Sequence, residues 1–405
     1  MIRTLSAVTV FLVATAAWGA TSAIRLTAAP RGSAGVQATT TPDIGLKALG
    51  TERPSLKSPR QPRHTSASSL TPKATAPPEP IPVPTPVSKR GPSPFVTVCG
   101  TGLCVDDAPF RERGATAYGQ YNDPVSEVGL ARRADLNTLE LVEFDTRYHT
   151  LSDTESSATW DRVDAFIAAA RAGGLHVVLN LSEYGQSLQA AGKAPVTTDW
   201  GPYLNFIATR VNTVTGVKYA NDPTIAMVEL WGEIPAPNYP KPVGTTLQIT
   251  DFYARSLAEW KADAPHILAS SGGLSYINDA HSGIDWKSIM ANPDNASCDV
   301  EVNSTGDLSV SVPSVAAYCK SLGKPWFLAA WSSCYGAPRG AWDLDYWSSD
   351  SAMSAHARAM VSVASGASTA IAPLGDDFWN IGGGTAVIGT CDIGPQFPLT
   401  FAAIT

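Results

Sequence analysis

From Phe95 onward, short apolar runs alternate with longer stretches whose apolar residues recur every three or four positions. Eight runs have the length and content of buried strands: Gly114–Tyr118, Leu136–Val142, Leu175–Leu181, Ile225–Trp231, His266–Ser271, Cys298–Asn303, Pro325–Ala330 and Ala367–Pro373. Between them, Ser126–Ala134, Trp160–Ala172, Gly201–Val214, Leu247–Ala262, Pro313–Leu322 and Ala352–Ala364 read as helices. This alternation predicts an α/β fold, a (β/α)8 TIM barrel over residues 95–405. An N-terminal β-hairpin is expected at Phe95–Phe110. A doubly wound open sheet shares the alternation, but Tyr118-Gly119-Gln120-Tyr121 after the first strand lacks the glycine-rich phosphate fingerprint.

Before Phe95 the periodicity vanishes. Residues 1–23 have a basic start at Arg3, an apolar core from Leu5 to Trp18, and small residues at Ala20–Ala23, the pattern of a secretory signal peptide. That core is shorter than the ~20 residues needed to span a bilayer, and an uncleaved anchor is the competing reading. Residues 24–94 contain no Phe, Trp or Tyr and 14 of the 31 prolines. Such a segment cannot bury enough apolar surface to offset its ordering entropy, so a disordered, extended, Pro-rich linker is expected.

Charge divides at the same place. Residues 1–94 carry a balance of +8 and residues 95–405 a balance of −15. The acidic domain lacks the basic footprint of a nucleic-acid binder, no later segment is apolar enough to cross a membrane, and a secreted or envelope-associated monomer is expected. All six cysteines lie beyond residue 94, and an even count in an exported protein favours disulfides. Cys99 and Cys104 flank a turn-like sequence that would bridge a hairpin. The other four allow three pairings. With no C-x-x-C and no histidine at ligand spacing, a zinc site is not expected.

A barrel keeps its chemistry at the C-terminal ends of its strands. The residues there are Tyr118, Glu140, Glu143, Asn180, Glu183, Trp231, Glu233, Ser270, Ser271, Asn303, Ala330, Trp331 and Asp376 to Trp379. Aromatic faces interspersed with hydrogen-bonding groups suit the flat apolar faces and hydroxyl rims of sugars. Tyr118, Asn180, Trp231, Asn303, Trp331 and Trp379 are the expected sugar contacts.

The stretch Arg210 to Pro235 carries Asn212, Thr215, Gly216 and Tyr219, then Asp222-Pro223-Thr224-Ile225, then Glu233. It resembles the fourth-strand region of glycoside hydrolase family 5, especially its β-mannanases, with their "N-x-x-T-G-x-x-Y", "DPTI" and "N-E-P" sequences. Phe110–Tyr121, Ala134–Leu139, His266–Gly273 and Lys324–Leu328 resemble the family's first, second, fifth and seventh strands, so the likeness covers roughly residues 95–385. It implies retaining hydrolysis of a β-linked, mannan-like polysaccharide by two carboxyl groups, with Glu233 as acid/base and no cofactor.

The nucleophile departs from that pattern. The family places a glutamate two residues beyond "K-P-x-x-L", where this chain has Ala330, and no Asp or Glu lies between Asp307 and Asp343. A methyl group can neither attack nor hold charge. Glu140 stands where the family has Arg, Gly232 where it has Asn, and Asn303 near its strand-six His. Glu301 or Asp376 is the alternative base for an inverting pair with Glu233; a strand-end hydrogen-bond network and a loop cap are the structural readings of the same two residues. A non-catalytic carbohydrate-binding protein on the same barrel is the alternative function.

Overall fold

The computed structural model describes residues 94–405 except 119–122, 143–153, 276, 278–280, 303–309, 332, 337–345, 365–374, 379 and 383–391, and, within elements, the side chains of 118, 154–158, 346, 364, 375–378 and 380. The signal and linker expectations therefore lie outside the described residues.

Three short strands open the domain, β1 (Thr97–Cys99), β2 (Gly102–Val105) and β3 (Ala108–Phe110), forming an antiparallel meander rather than a two-stranded hairpin. A Cys99–Cys104 disulfide joins β1 to β2. Then β4 (Gly114–Tyr118), α1 (Pro124–Arg133), β5 (Thr138–Val142), α2 (Thr154–Gly173), β6 (His176–Asn180), α3 (Ser182–Ala190), α4 (Gly201–Thr209), β7 (Ile225–Glu229), α5 (Thr246–Asp263), β8 (Leu268–Ser270), α6 (Trp286–Ala291), β9 (Cys298–Val302), α7 (Ser311–Leu322) and β10 (Trp326–Trp331) alternate along the chain. The small strands β11 (Cys334–Tyr335) and β12 (Tyr346–Trp347) follow, then α8 (Asp350–Ala364), β13 (Gly375–Phe378), β14 (Asn380–Ile381), β15 (Asp392–Ile393) and α9 (Pro398–Ile404).

Eight parallel strands form one sheet in the order β8-β7-β6-β5-β4-β13-β10-β9. The sheet closes through Leu274, just past β8, which bridges Val300 on β9 in parallel, its N–H donating to the Asp299 carbonyl at 3.1 Å. Closure decides between barrel and open sheet. The eighth strand differs from expectation: Ala367–Pro373 falls on undescribed residues, and Gly375–Phe378 fills the last place, between β10 and β4.

The barrel's N-terminal end is plugged. Val96 and Leu103 of the meander pack against Val178, Ala226, Met227 and Phe327 inside it. Phe95 stacks on His266 and Phe110 sits edge-on to His176. A cleft of about 800 Å³ lies at this end, lined by Phe95, His266 and Lys324 among others, and holds none of the candidate carboxylates. Cys298–Cys319 ties β9 to α7. Cys334 is also disulfide-bonded, and Cys391 lies outside the described residues. None of the described helices is long and apolar enough to cross a membrane.

One buried acid in the helical layer makes stability depend on pH. Glu127 on α1 is 3% exposed, and its Oε2 has no partner among the described residues. Burial, then the charges of Asp123 and Asp392, push its carboxyl up to about 7. A folded-state value above the unfolded one stabilises fully below the unfolded value, and that contribution is lost as pH rises through the folded one. The melting temperature should therefore fall between pH 4.5 and about 7, and Glu127→Gln should flatten that slope. An unchanged slope in a thermal-unfolding series would clear Glu127 of the effect.

Candidate active site at the C-terminal mouth

Along β5, Leu139 and Leu141 join the cluster shared with the helices. Period two therefore turns Glu140 towards the barrel axis. It is 4% exposed and is held from both neighbouring strands. The Thr116 hydroxyl on β4 donates to its Oε2 at 2.7 Å, and Asn180 Nδ2 on β6 donates to its Oε1 at 2.6 Å. Burial pushes this carboxyl above its ordinary range; the two hydrogen bonds pull it down, and the charges of Glu233 and Asp299 push it up again.

Asn180 links this carboxyl to the next strand. Its Nδ2 also lies 3.3 Å from Glu229 Oε2 on β7. Its Oδ1 accepts from the backbone N–H and the hydroxyl of Ser182 at 3.0 and 2.6 Å. The amide is thus engaged in orienting protein groups.

Glu233 sits beyond β7, where pairing continues past the strand. Leu230 N–H donates to the Ser270 carbonyl, Trp231 N–H to that of Ser271, and Glu233 N–H to that of Gly273 at 2.8 Å. Tyr253 on α5 donates its hydroxyl to the Trp231 carbonyl at 2.6 Å. Glu233 is exposed and has φ +51°, a left-handed conformation that costs a non-glycine residue about 1–3 kcal/mol and tends to occur at functional sites.

Glycines permit this geometry. A Cβ on Gly232 would lie 3.2 Å from Gly273 N and 3.3 Å from its carbonyl oxygen. On Gly272, at φ +80°, a Cβ would lie 2.6 Å from Gly232 N, and on Gly273 it would lie 3.1 Å from the Ala329 methyl. Between β7 and β8 the ledge is therefore backbone packed on backbone, and Gly273 abuts the Ala329 methyl of β10. A side chain at Gly232 would require the strand-five turn to give by a few tenths of an ångström.

Asp299 lies deeper and is fully buried, with the Ser297 hydroxyl donating to it at 2.5 Å. Burial raises its carboxyl to about 6 against opposing hydrogen bonds from Ser270 and Ser297 and the charge of Lys324. Lys324 itself is structural, its ammonium donating to the carbonyls of Met290, Asn292 and Asn295. Glu301 is 4% exposed on β9, level with Ala330 across the β9–β10 ladder.

Two expected sugar platforms are corrected. Trp231 is 1% exposed and stacks on Trp200 with centroids 6.1 Å apart. Trp331 is 2% exposed and lies edge-on to His356 of α8 at 6.1 Å. Both belong to the layer between strands and helices, where no sugar reaches. Asp376 lies on the eighth strand, paired with Leu328, not after it. Its side chain and that of Tyr118 lie outside the described residues, as do Glu143, Asn303 and Trp379. The mouth thus brings together Glu140, Asn180, Glu229, Glu233 and Glu301.

Among solved structures, the endo-1,4-β-mannanase from Rhizomucor miehei superposes with a TM-score of 0.60 at 18% identity, over 76% of this chain and 98% of that one. The endo-β-1,4-mannanase from Thermotoga petrophila gives 0.56 at 17%, over 73% and 76%. A family 5 mannosidase from Rhizomucor miehei gives 0.56 at 14%, over 77% and 97%. The fold is that of the glycoside hydrolase family 5 barrels. No family model matches the sequence, and no curated protein does. Ala330, where the resemblance puts the nucleophile, is partly exposed on β10.

Proposed function

We propose that the barrel is a glycosidase-type enzyme acting on a β-linked, mannan-like polysaccharide, with Glu233 as one of its catalytic carboxyl groups. The observation that carries this reading is the placement of Glu233. Three backbone hydrogen bonds, from Leu230, Trp231 and Glu233, hold the segment that carries this exposed side chain at the mouth of the barrel. The fold neighbours' names supply the sugar class. The signal-like residues 1–23 support action outside the cell, with oligosaccharide as the partner of a monomer.

The test is hydrolysis of β-1,4-linked manno-oligosaccharides, with binding followed by calorimetry. Glu233→Gln should lower kcat/KM by about 10²–10⁴-fold, the usual contribution of a positioned acid or base. Absence of both turnover and binding would overturn the proposal. Binding without turnover would establish a second reading, a carbohydrate-binding barrel. One observation favours that outcome: Ala330 leaves the double-displacement route without a nucleophile.

A further inference from the structure

We propose that Tyr253 is a positioning residue of this site: its phenol pins the peptide plane between Trp231 and Gly232 and so sets where the Glu233 side chain stands. What that placement achieves rests on the glycosidase reading; that the phenol holds the strand-four lip does not.

Strand pairing on one side stops short of Glu233. Leu181 N–H donates to the Glu229 carbonyl at 2.8 Å, and from Ser182 the chain that formed β6 turns into α3. A buried carbonyl that loses its strand partner needs another donor. The Trp231 carbonyl takes the Tyr253 hydroxyl, at 2.6 Å. The next residue, Gly232, has no side chain to restrict its conformation, and Glu233 beyond it stands at φ +51°. A non-glycine residue keeps such a conformation only where its surroundings over-determine it. The Trp231 carbonyl held on Tyr253 and the Glu233 N–H held on Gly273 fix the chain on both sides of Gly232.

The clamp is itself rigid. Helix α5 buries Ile249, Phe252, Tyr253, Leu257 and Trp260, the core-facing stripe of an amphipathic helix. Tyr253 is fully buried. Burial and the charge of Glu229 hold its phenol well above the ordinary value, so it stays protonated and remains a donor. Phe252 lies edge-on to the Trp231 indole with centroids 6.3 Å apart. On the other side, a Cβ on Gly185 of α3 would lie 2.4 Å from that indole. The indole is thus wedged against α3 and α5 while its own carbonyl is held by Tyr253. Residue 231, expected as a sugar contact, is the anchor of the lip.

Tyr253→Phe keeps the ring and removes the donor. On manno-oligosaccharides its kcat should fall about 10–100-fold, since a 1 Å misplacement of a reacting group costs roughly 100-fold. KM should stay within about twofold, because no sugar contact is lost. Tyr219→Phe is the matched control. Its phenol is equally buried, but donates to Asp164 from the turn ahead of β7, and its loss should leave kcat within about twofold. Hydrogen exchange in the full chain, read residue by residue by NMR, reports on the clamp without substrate. The Glu233 amide, measured against that of Val228 on β7, should lose at least about tenfold of its protection in Tyr253→Phe and less than about twofold in Tyr219→Phe. Gly185→Ala, which drives a methyl group into the Trp231 indole from α3, should give the same two changes and covers a Tyr253→Phe chain that does not fold.

Unchanged relative protection at Glu233 would overturn the clamp. Lost protection with kcat unchanged, or equal falls of kcat in Tyr253→Phe and Tyr219→Phe, would overturn Tyr253 as a positioning residue while leaving the glycosidase reading standing. A wild type inactive on the oligosaccharides would overturn that reading, and exchange would still decide whether the phenol holds the lip.

Discussion

Replacing Asp164 by Ala should destabilise the fold by about 3–5 kcal/mol, the cost of breaking a buried, hydrogen-bonded charge network. Asp164 is fully buried on α2. Its Oδ1 accepts from Arg210 Nε at 3.0 Å and from the Tyr219 hydroxyl at 2.5 Å. Its Oδ2 accepts from Arg210 Nη2 at 2.7 Å and from the backbone and hydroxyl of Thr213, both at 2.9 Å. Burial alone would lower the Arg210 guanidinium, yet the bond and charge of Asp164 hold it above its ordinary value. The same segment adds Asn212, which donates to the Asp164 carbonyl and accepts from the N–H groups of Val214 and Thr215. Alanine would leave a phenol, a hydroxyl and a backbone N–H without their acceptor, and the partly buried Arg210 guanidinium with Asp161 as its remaining carboxylate. Urea unfolding measures the effect, and a loss below about 1 kcal/mol would mean that water enters and replaces the carboxylate.

The second large effect is expected at the mouth. Gly272→Ala places a methyl carbon 2.6 Å from Gly232 N and 3.2 Å from Glu229 Oε2, at a φ of +80° that side chains rarely adopt. The obstacle is backbone, so the strand-four lip has to move and carries Glu233 with it. A displacement near 1 Å at a catalytic group costs roughly 10²-fold in rate. We expect kcat to fall about that far, with a stability loss of about 1–3 kcal/mol from overpacking. If stability drops and kcat does not, the lip does not govern the placement of Glu233.

The barrel was legible because seven of its strands are apolar runs separated by helical periods, and their observed positions lie within the predicted ones or extend them by a single residue at one end. The eighth strand was misplaced because Gly375-Asp376-Asp377-Phe378 is polar, while the apolar run before it attracts the prediction. The Asn212–Tyr219 sequence was recognisable as a motif, yet what it encodes is the Asp164 anchor rather than chemistry. Glu140 was visible as a departure from the family. The alternation Thr-Leu-Glu-Leu-Val, which turns it inward, was the available signal of its place in the site.

Trp331 fails for a reason no periodicity rule reveals. Between Leu328 and Ala330 the β9–β10 register slips by one residue, and a bulge of this kind sends the following side chains to the opposite face. An unbroken alternation from Phe327, which lies inside the barrel, would have put Trp331 inside as well. Trp231 lies two residues past the end of β7, where strand alternation no longer applies.

That same slip constrains any attempt to return a glutamate to strand seven. Position 329 faces the glycine ledge, whose nearest added carbon would already stand 3.1 Å from a methyl group. Position 330 is roomier, but it is level with Glu301. A carboxyl restored there would arrive beside a resident acid, and two such groups in contact share a proton instead of both ionising. Ala330→Glu alone would install an acid that titrates together with Glu301 rather than as an independent nucleophile. Reviving double displacement in this barrel is a two-site problem, with position 301 emptied of charge before position 330 is filled.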